Sequence, residues 1–350
     1  MSYAHTNTNR VLLIYTGGTI GMGRNPKTDA LEPLDFNHLI ENLPEFKSIT
    51  TQIDVYQFTP AIDSSDMNPR LWAQIVRIIA DQYEKYDGFV VLHGTDTMAF
   101  TASALSYMLE NLTKPVILTG SQLPISQLRT DGKENLVTSI EIASACHQDG
   151  TPIVPEVCIY FSGKLLRGNR STKINADGFN AFDSFNYPHL ADAGVNIVYH
   201  EEYILKPDFE KPMTPHFVMD PNVVVFTLFP GIQESIVRHI LDAPELRSII
   251  MRTYGSGNAP QRPWLMHILK QATERGVNIV NISQCAAGTV EMARYDNGYQ
   301  LKSAGVISGY DSTVESTVTK LMHLQGHYTD WRIIRKMMNH PMRGEFTQNL

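Results

Sequence analysis

Val11-Leu12-Leu13-Ile14-Tyr15 runs straight into Thr16-Gly17-Gly18-Thr19-Ile20-Gly21. Two later stretches repeat the form, Phe89-Val90-Val91-Leu92 into His93-Gly94-Thr95 and Pro115-Val116-Ile117-Leu118 into Thr119-Gly120. Unbroken apolar runs of this length suit strands buried on both faces, the condition of a parallel sheet covered by helices. Between the first two runs lies Asn68-Pro69, a helix N-cap followed by proline at the first helical position. Leu71, Trp72, Ile75, Ile79 and Tyr83 follow it at helical spacing. After Gly94 a second helix carries Ala102, Leu105, Met108 and Leu109 on one side. Strands separated by helices imply βαβ crossovers, so the expected class is α/β, with a larger N-terminal, mainly parallel sheet domain and flanking helices.

The alternation weakens between Tyr199 and Pro221, where Pro207, Pro212, Pro215 and Pro221 interrupt a polar stretch with Glu201, Glu202, Asp208 and Glu210. It resumes with Val223–Phe226, Ser248–Met251 and Val277–Val280. The expected organisation is a catalytic domain over 1–200, a linker over 201–221 and a smaller C-terminal α/β domain over 222–350.

A chain of 350 residues with 43% hydrophobic and 19% charged residues is neither disordered nor a coiled coil. Its net charge of −7, with no lysine and arginine stripe, excludes a phosphate-backbone partner and favours small ligands. Three cysteines at irregular spacing, Cys146, Cys158 and Cys285, form neither a disulfide framework nor a CxxC metal site, which suits a reducing cytosol. The polar start MSYAHTNTNR leads into too short an apolar run for a signal or a membrane span. His323 and His327 stand four apart on an expected helix, but no nearby acid completes a metal site, and a solvated helix face is the expectation. No cofactor and no metal are expected; GxGxxG does not fit the first glycine turn, and GxxxxGK[ST] does not occur.

Ligands of an open parallel sheet gather beyond the carboxyl ends of the strands, and two of those ends here are rich in hydroxyls. In Thr16-Gly17-Gly18-Thr19 the paired glycines let backbone amides approach a ligand, with Thr19 reaching the same space; a plain strand-to-loop bend is the bland alternative. In His93-Gly94-Thr95-Asp96-Thr97 an uncharged hydroxyl stands beside a carboxylate, a sensible pair for moving a proton. Thr95 or Asp96 could equally cap the helix that follows. Lys173, in Arg167-Gly168-Asn169-Arg170-Ser171-Thr172-Lys173, would serve as the base if buried beside Asp96, since desolvation favours the neutral amine. Its bland reading is a surface lysine.

Tyr15-Thr16-Gly17-Gly18-Thr19-Ile20-Gly21-Met22 and Leu92-His93-Gly94-Thr95-Asp96-Thr97-Met98-Ala99 resemble the two threonine signatures of the bacterial asparaginase family, specifically its cytoplasmic type I members. Asp63-Ser64-Ser65-Asp66-Met67, Thr119-Gly120-Ser121-Gln122, Arg167-Gly168-Asn169-Arg170, Tyr254–Pro260 and Thr313-Val314-Glu315 extend the resemblance in order over nearly the whole chain. The resemblance implies hydrolysis of the L-asparagine side-chain amide to L-aspartate and ammonia by double displacement. Thr19 takes the nucleophile's place, while Thr95, Asp96 and Lys173 take that of the group activating water or relaying protons. Ser64 and Asp96 match positions gripping the substrate's α-carboxylate and α-amino groups, with Asp63 and Ser65 in the same turn and Thr95 beside them; amides near Thr95 would hold the oxyanion.

Family members carry a tyrosine on the loop after the nucleophile. The matching stretch here, Arg24 to Leu31, has none, and Tyr310 is the candidate substitute. Arg252, Ser283 and Cys285 match residues that hold a second, regulatory asparagine, which implies a cooperative homotetramer, a dimer of dimers, in the cytoplasm. The alternatives are an amino-acid-binding sensor on the same fold and a glutamine-directed amidase. The amidotransferase subunit that deamidates glutamine for tRNA-dependent synthesis would bring a longer N-terminal extension.

Overall fold

The computed structural model describes residues 9–24, 31–33, 50–292 and 296–348, and the chain divides into two compact units. The first, residues up to 184 with 188–217, is built on an eight-stranded sheet. Its strands are β1 (Arg10–Tyr15), β2 (Gln52–Gln57), β3 (Gly88–Leu92), β4 (Val116–Thr119), β5 (Val157–Phe161), β6 (Lys164–Arg167), β7 (Ala191–Ala193) and β8 (Ile197–Tyr199). Their spatial order is β8-β7-β6-β5-β4-β3-β1-β2, parallel from β2 through β5 and antiparallel from β5 outward. Val11, Leu13, Ile14 and all of Phe89–Leu92 are wholly buried, as two-sided burial of a parallel strand requires.

Helix α1 (Pro69–Asp81) begins where expected, with the Asn68 side chain accepting from the amides of Arg70 and Leu71. It buries Trp72, Ile75, Val76 and Ile79. Helix α2 (Met98–Met108) departs from the one-sided reading: nearly every residue of it is buried, and Leu109 has left the helix for a short strand. A helix apolar all round needs cover on all sides, and periodicity does not reveal that cover.

The stretch from 201 to 217 belongs to the first unit. Arg167 and Glu156 pair through a fork of 2.7 and 3.4 Å at about 3–4% exposure. Arg167 then donates to the Tyr203 carbonyl, and the Leu205 amide donates to Glu156. Thr214 and Pro215 pair with Glu110 and Leu109. Two buried charged side chains, Arg167 and Glu156, thus hold a proline-rich segment that has no apolar run of its own. Arg167→Met leaves the Glu156 carboxylate buried and uncompensated, and the expected loss of stability is about 3–5 kcal/mol in urea unfolding. Adding Glu156→Leu recovers a large part of it, because no bare charge then remains.

The second unit, residues 185–187 and 218 onward, carries a four-stranded parallel sheet: β9 (Val223–Thr227), β10 (Ser248–Thr253), β11 (Asn278–Ser283) and β12 (Ile307–Ser308), in that spatial order. Ile249, Met251, Leu265, Leu269 and Ile279 form its core. On the helix Val314–His327, His323 is buried, unlike the solvated face expected, while His327 is exposed as expected; His327 Nδ1 meets the His323 carbonyl at 2.7 Å. Among the described residues no group of three or more His, Cys, Asp or Glu could hold a metal, and no helix is long and apolar enough to cross a membrane.

Candidate active site

Strand β1 has β2 on one side and β3 on the other. The crossover from β1 runs outward to β2, and the chain then returns to β3 on the opposite side. The carboxyl ends of β1 and β3 therefore flank the topological switch point, where open α/β sheets bind ligands. Thr19 follows β1 and Thr95 follows β3, so the strand order puts both threonine loops at the switch point.

The two loops are fitted together through glycine. Gly17 and Gly18 have φ of 143° and 92°. A Cβ on Gly17 would lie 2.1 Å from the Ile62 carbonyl oxygen, and one on Gly18 would lie 2.6 Å from the Gly94 amide nitrogen. Thr19 opens a short 3-10 turn, Thr19–Gly21, anchored by the wholly buried Ile20, whose carbonyl accepts from Ile125 N at 3.1 Å. The neighbouring hydroxyls are committed: Thr16 donates to Leu92 O at 2.8 Å and Thr119 to Tyr160 O at 2.8 Å.

Beyond β3, neither Thr95 nor Asp96 caps the following helix. Its N-cap is Thr97, whose hydroxyl instead donates to the Ser64 carbonyl at 2.6 Å. Lys173 is no free surface lysine: its Nζ donates to Thr95 Oγ1 at 2.9 Å and to Asp96 Oδ1 at 2.7 Å, with its side chain 18% exposed. Thr95 in turn donates to Gln122 Oε1 at 3.3 Å, and the Gln122 amide is held by the Ala176 and Gly178 carbonyls, each at 3.1 Å. Gln122 stands in the Thr119–Gln122 motif, yet nothing in that run of letters marks its reach to Thr95. The Thr95 and Asp96 amides donate to no group among the described residues.

The 63–65 turn closes against the same place. Asp63 Oδ1 accepts from the Ser65 amide at 2.9 Å and its hydroxyl at 2.8 Å, and these bonds hold the Asp63 carboxyl below the usual carboxylate range. Asp63 and Ser65 thus build the turn, and Ser64, buried, presents its hydroxyl to Gly94, where a Cβ would lie 2.6 Å away. Beneath the turn His93 is fully buried, and burial lowers its pKa to about 4. The unfolded chain takes up that proton near 6.5 and the folded chain only near 4. Stability is therefore complete above about pH 6.5 and falls as the pH drops to about 4, by on the order of 3 kcal/mol. Urea midpoints across this window should fall less steeply in His93→Asn.

Two sets of expected residues lie in the second unit. Ser283 ends β11 in register with Thr253, the last residue of β10, and Arg252 is the residue before it. Ser283 donates to Gly255 O at 2.6 Å and accepts from Cys285 N at 2.9 Å, while Arg252 Nε is buried without a hydrogen-bond partner among the described residues. Cys285 is exposed. The Tyr310 ring stacks on Phe346, centroids 4.6 Å apart and planes 8° apart, a packing role inside the second unit. The tyrosine-free loop, 25–30, lies outside the described residues.

A hydroxyl held by a lysine that also pairs with a carboxylate, with free amides beside it and a second hydroxyl on the facing loop, is equipment for acyl transfer from an amide, and the class is that of an amidohydrolase. The chain belongs to the asparaginase family: residues 10–205 match the model "Asparaginase, N-terminal" and residues 222–338 the "Glutaminase/Asparaginase C-terminal domain". It is 44% identical to "L-asparaginase 1" of Escherichia coli strain K12, over 96% of this chain and 98% of that relative. To the "60 kDa lysophospholipase" of Mus musculus it is 40% identical, over 99% of this chain and 64% of that protein. The crystal structure of L-asparaginase I from Vibrio cholerae superposes with a TM-score of 0.89 at 42% identity, covering 97% of this chain and all of that one.

Proposed function

We propose that this protein is a cytoplasmic L-asparaginase that hydrolyses L-asparagine through an ester on Thr19. The observation carrying the reading is Lys173 Nζ within hydrogen-bond distance of both Thr95 Oγ1 and Asp96 Oδ1, at 2.9 and 2.7 Å, at the switch point opposite Thr19. Thr19 Oγ attacks the side-chain amide carbon, its proton passes to the departing nitrogen, and ammonia leaves. Water then passes a proton to Thr95 as Thr95 gives its own to the unprotonated Lys173 amine, and attacks the ester carbon; the C–O bond to Thr19 breaks, Lys173 returns the proton through Thr95 to the Thr19 oxygen, and aspartate is released. The free Thr95 and Asp96 amides suit the oxyanion of both steps. Ser64 and Asp96 offer a hydroxyl and a carboxylate to the α-carboxylate and α-amino groups.

Ammonia release from L-asparagine tests the reading, and the ratio of kcat/KM for asparagine over glutamine tests the substrate, since one methylene shifts transition-state binding by only ~1–3 kcal/mol. Binding of asparagine without ammonia would make the protein a sensor.

The same reading includes a regulatory asparagine in a homotetramer. Its support is the resemblance together with the unsatisfied Arg252 Nε near Ser283 and Cys285, since a buried guanidinium donor suits a carboxylate. Rate against asparagine concentration should be sigmoidal, and Arg252→Ala should flatten it to a hyperbola while leaving the maximal rate within about twofold. A hyperbola in the unaltered protein removes the regulatory site.

A further inference from the structure

The turn beyond β3 is backed by a hydrogen-bonded chain that the reaction itself does not use. His93 Nδ1 lies 2.6 Å from the Gly94 carbonyl oxygen, and Nε2 lies 2.9 Å from Thr101 Oγ1 on α2. Trp72 Nε1 on α1 donates to the same Thr101 oxygen at 3.0 Å. The directions of these bonds follow from the inventory of donors. A carbonyl only accepts, so His93 Nδ1 carries the hydrogen. The buried ring stays neutral well into the acid range, so Nε2 is a bare acceptor and the Thr101 hydroxyl donates to it. The Thr101 oxygen then receives the indole N–H, which can only donate. One direction runs from Trp72 through Thr101 to His93 and on to Gly94.

The Gly94 carbonyl and the Thr95 N–H are the two ends of one planar peptide group. Rotating that group turns both together, and a bond drawing on its oxygen strengthens its N–H as a donor, by about a tenth to a third per bond in a chain of this kind. Gly94 has no Cβ to restrict it, because Ser64 occupies the place where one would stand. We propose that His93 is a positioning residue: held as its Nδ1–H tautomer by Thr101 and Trp72, it fixes and polarises the Gly94–Thr95 peptide so that the Thr95 N–H faces the oxyanion. This rests on the reading of the Thr95 turn as the acyl-transfer site. A histidine that only filled the space behind the turn would need neither the tautomer nor the two further partners.

The test uses the full chain with L-asparagine. His93→Leu removes the Nδ1–H donor, and kcat should fall about thirtyfold or more while KM stays within about threefold, since losing a whole oxyanion donor costs ~100- to 1,000-fold. His93→Asn sets a side-chain N–H close to the position of Nδ1–H, and it should recover kcat to within about fivefold of the unaltered protein. Equal losses of kcat in the two variants, or a kcat unchanged in His93→Leu, overturn the proposal. Should His93→Leu not fold, the imidazole ¹⁵N spectrum of the unaltered protein, assigned by the signal missing in His93→Asn, decides it: an Nδ1–H tautomer supports the proposal and an Nε2–H tautomer overturns it. Thr19→Ala and Thr95→Val separate the two levels. If both are inactive while His93→Leu is not impaired, the site reading stands and the inference about His93 fails; if both keep wild-type turnover, the site reading itself is wrong.

Discussion

Thr19→Ala should lower kcat for asparagine at least about ten-thousand-fold while the fold persists. The threonine oxygen is the only group proposed to bond to the amide carbon, and removal of a covalent nucleophile leaves only binding and the oxyanion donors to assist water. Thr19 sits at intermediate exposure in a turn whose anchor is Ile20, so losing its hydroxyl and methyl leaves the buried packing intact. The thermal midpoint should stay within a few degrees, and asparagine should still protect the variant against unfolding. A variant that releases ammonia at more than a hundredth of the normal rate would remove Thr19 from its role, and the facing Thr95 would then be the next nucleophile to test.

Lys173→Met should lower kcat about a thousandfold with a smaller change in KM, the scale of a lost acid–base group. The two bonds at 2.7 and 2.9 Å place Nζ on Asp96 and Thr95, not on the turn that carries Ser64. The informative companion is Lys173→Arg. A guanidinium keeps a charge near Asp96 but does not give up its proton in a protein. If Lys173 relays protons, Lys173→Arg is as impaired as Lys173→Met; if it supplies only charge, the arginine restores most of the rate. Because Asp96 is more than half exposed, screening limits what its ion pair adds to stability, and both variants should unfold close to the unaltered protein.

The strands were legible wherever burial is two-sided, because Val11–Tyr15 and Phe89–Leu92 then carry no polar residue to blur the run. Helix α1 was legible because Asn68 and Pro69 mark its start by local chemistry alone. Helix α2 was misread as one-sided because its cover comes from elements far away in sequence. The proline-rich stretch 201–221 reads as a linker although residues 201–217 lie in the first unit, since the ion pair of Arg167 with Glu156 and its bonds to Tyr203 and Leu205 join residues 36 and 49 positions apart. The burial of His323 is illegible for a related reason: a lone polar residue gives no sign of the packing that buries it.

At the site, Thr19, Thr95 and Asp96 are marked by glycine-rich strand ends, and Lys173 by the chemistry of a base that needs burial beside Asp96, although no local pattern shows that burial. Gln122 and His93 stood in quoted motifs without a role. Their importance lies in which atoms they reach, 3.3 Å to Thr95 for one and 2.6 Å to the Gly94 carbonyl for the other.

By itself the sequence determined the α/β class, the two threonine-bearing turns and the family, because these follow from local periodicity, glycine placement and ordered motifs. Only the tertiary structure decided that β3 lies beside β1 and not beside β2, since strand order is a matter of long-range pairing that no local pattern encodes. That order opens the crevice between Thr19 and Thr95. It also decided which hydroxyls remain for chemistry: Thr16 and Thr119 end equivalent strands with equivalent letters, yet the carbonyls of neighbouring strands take their protons.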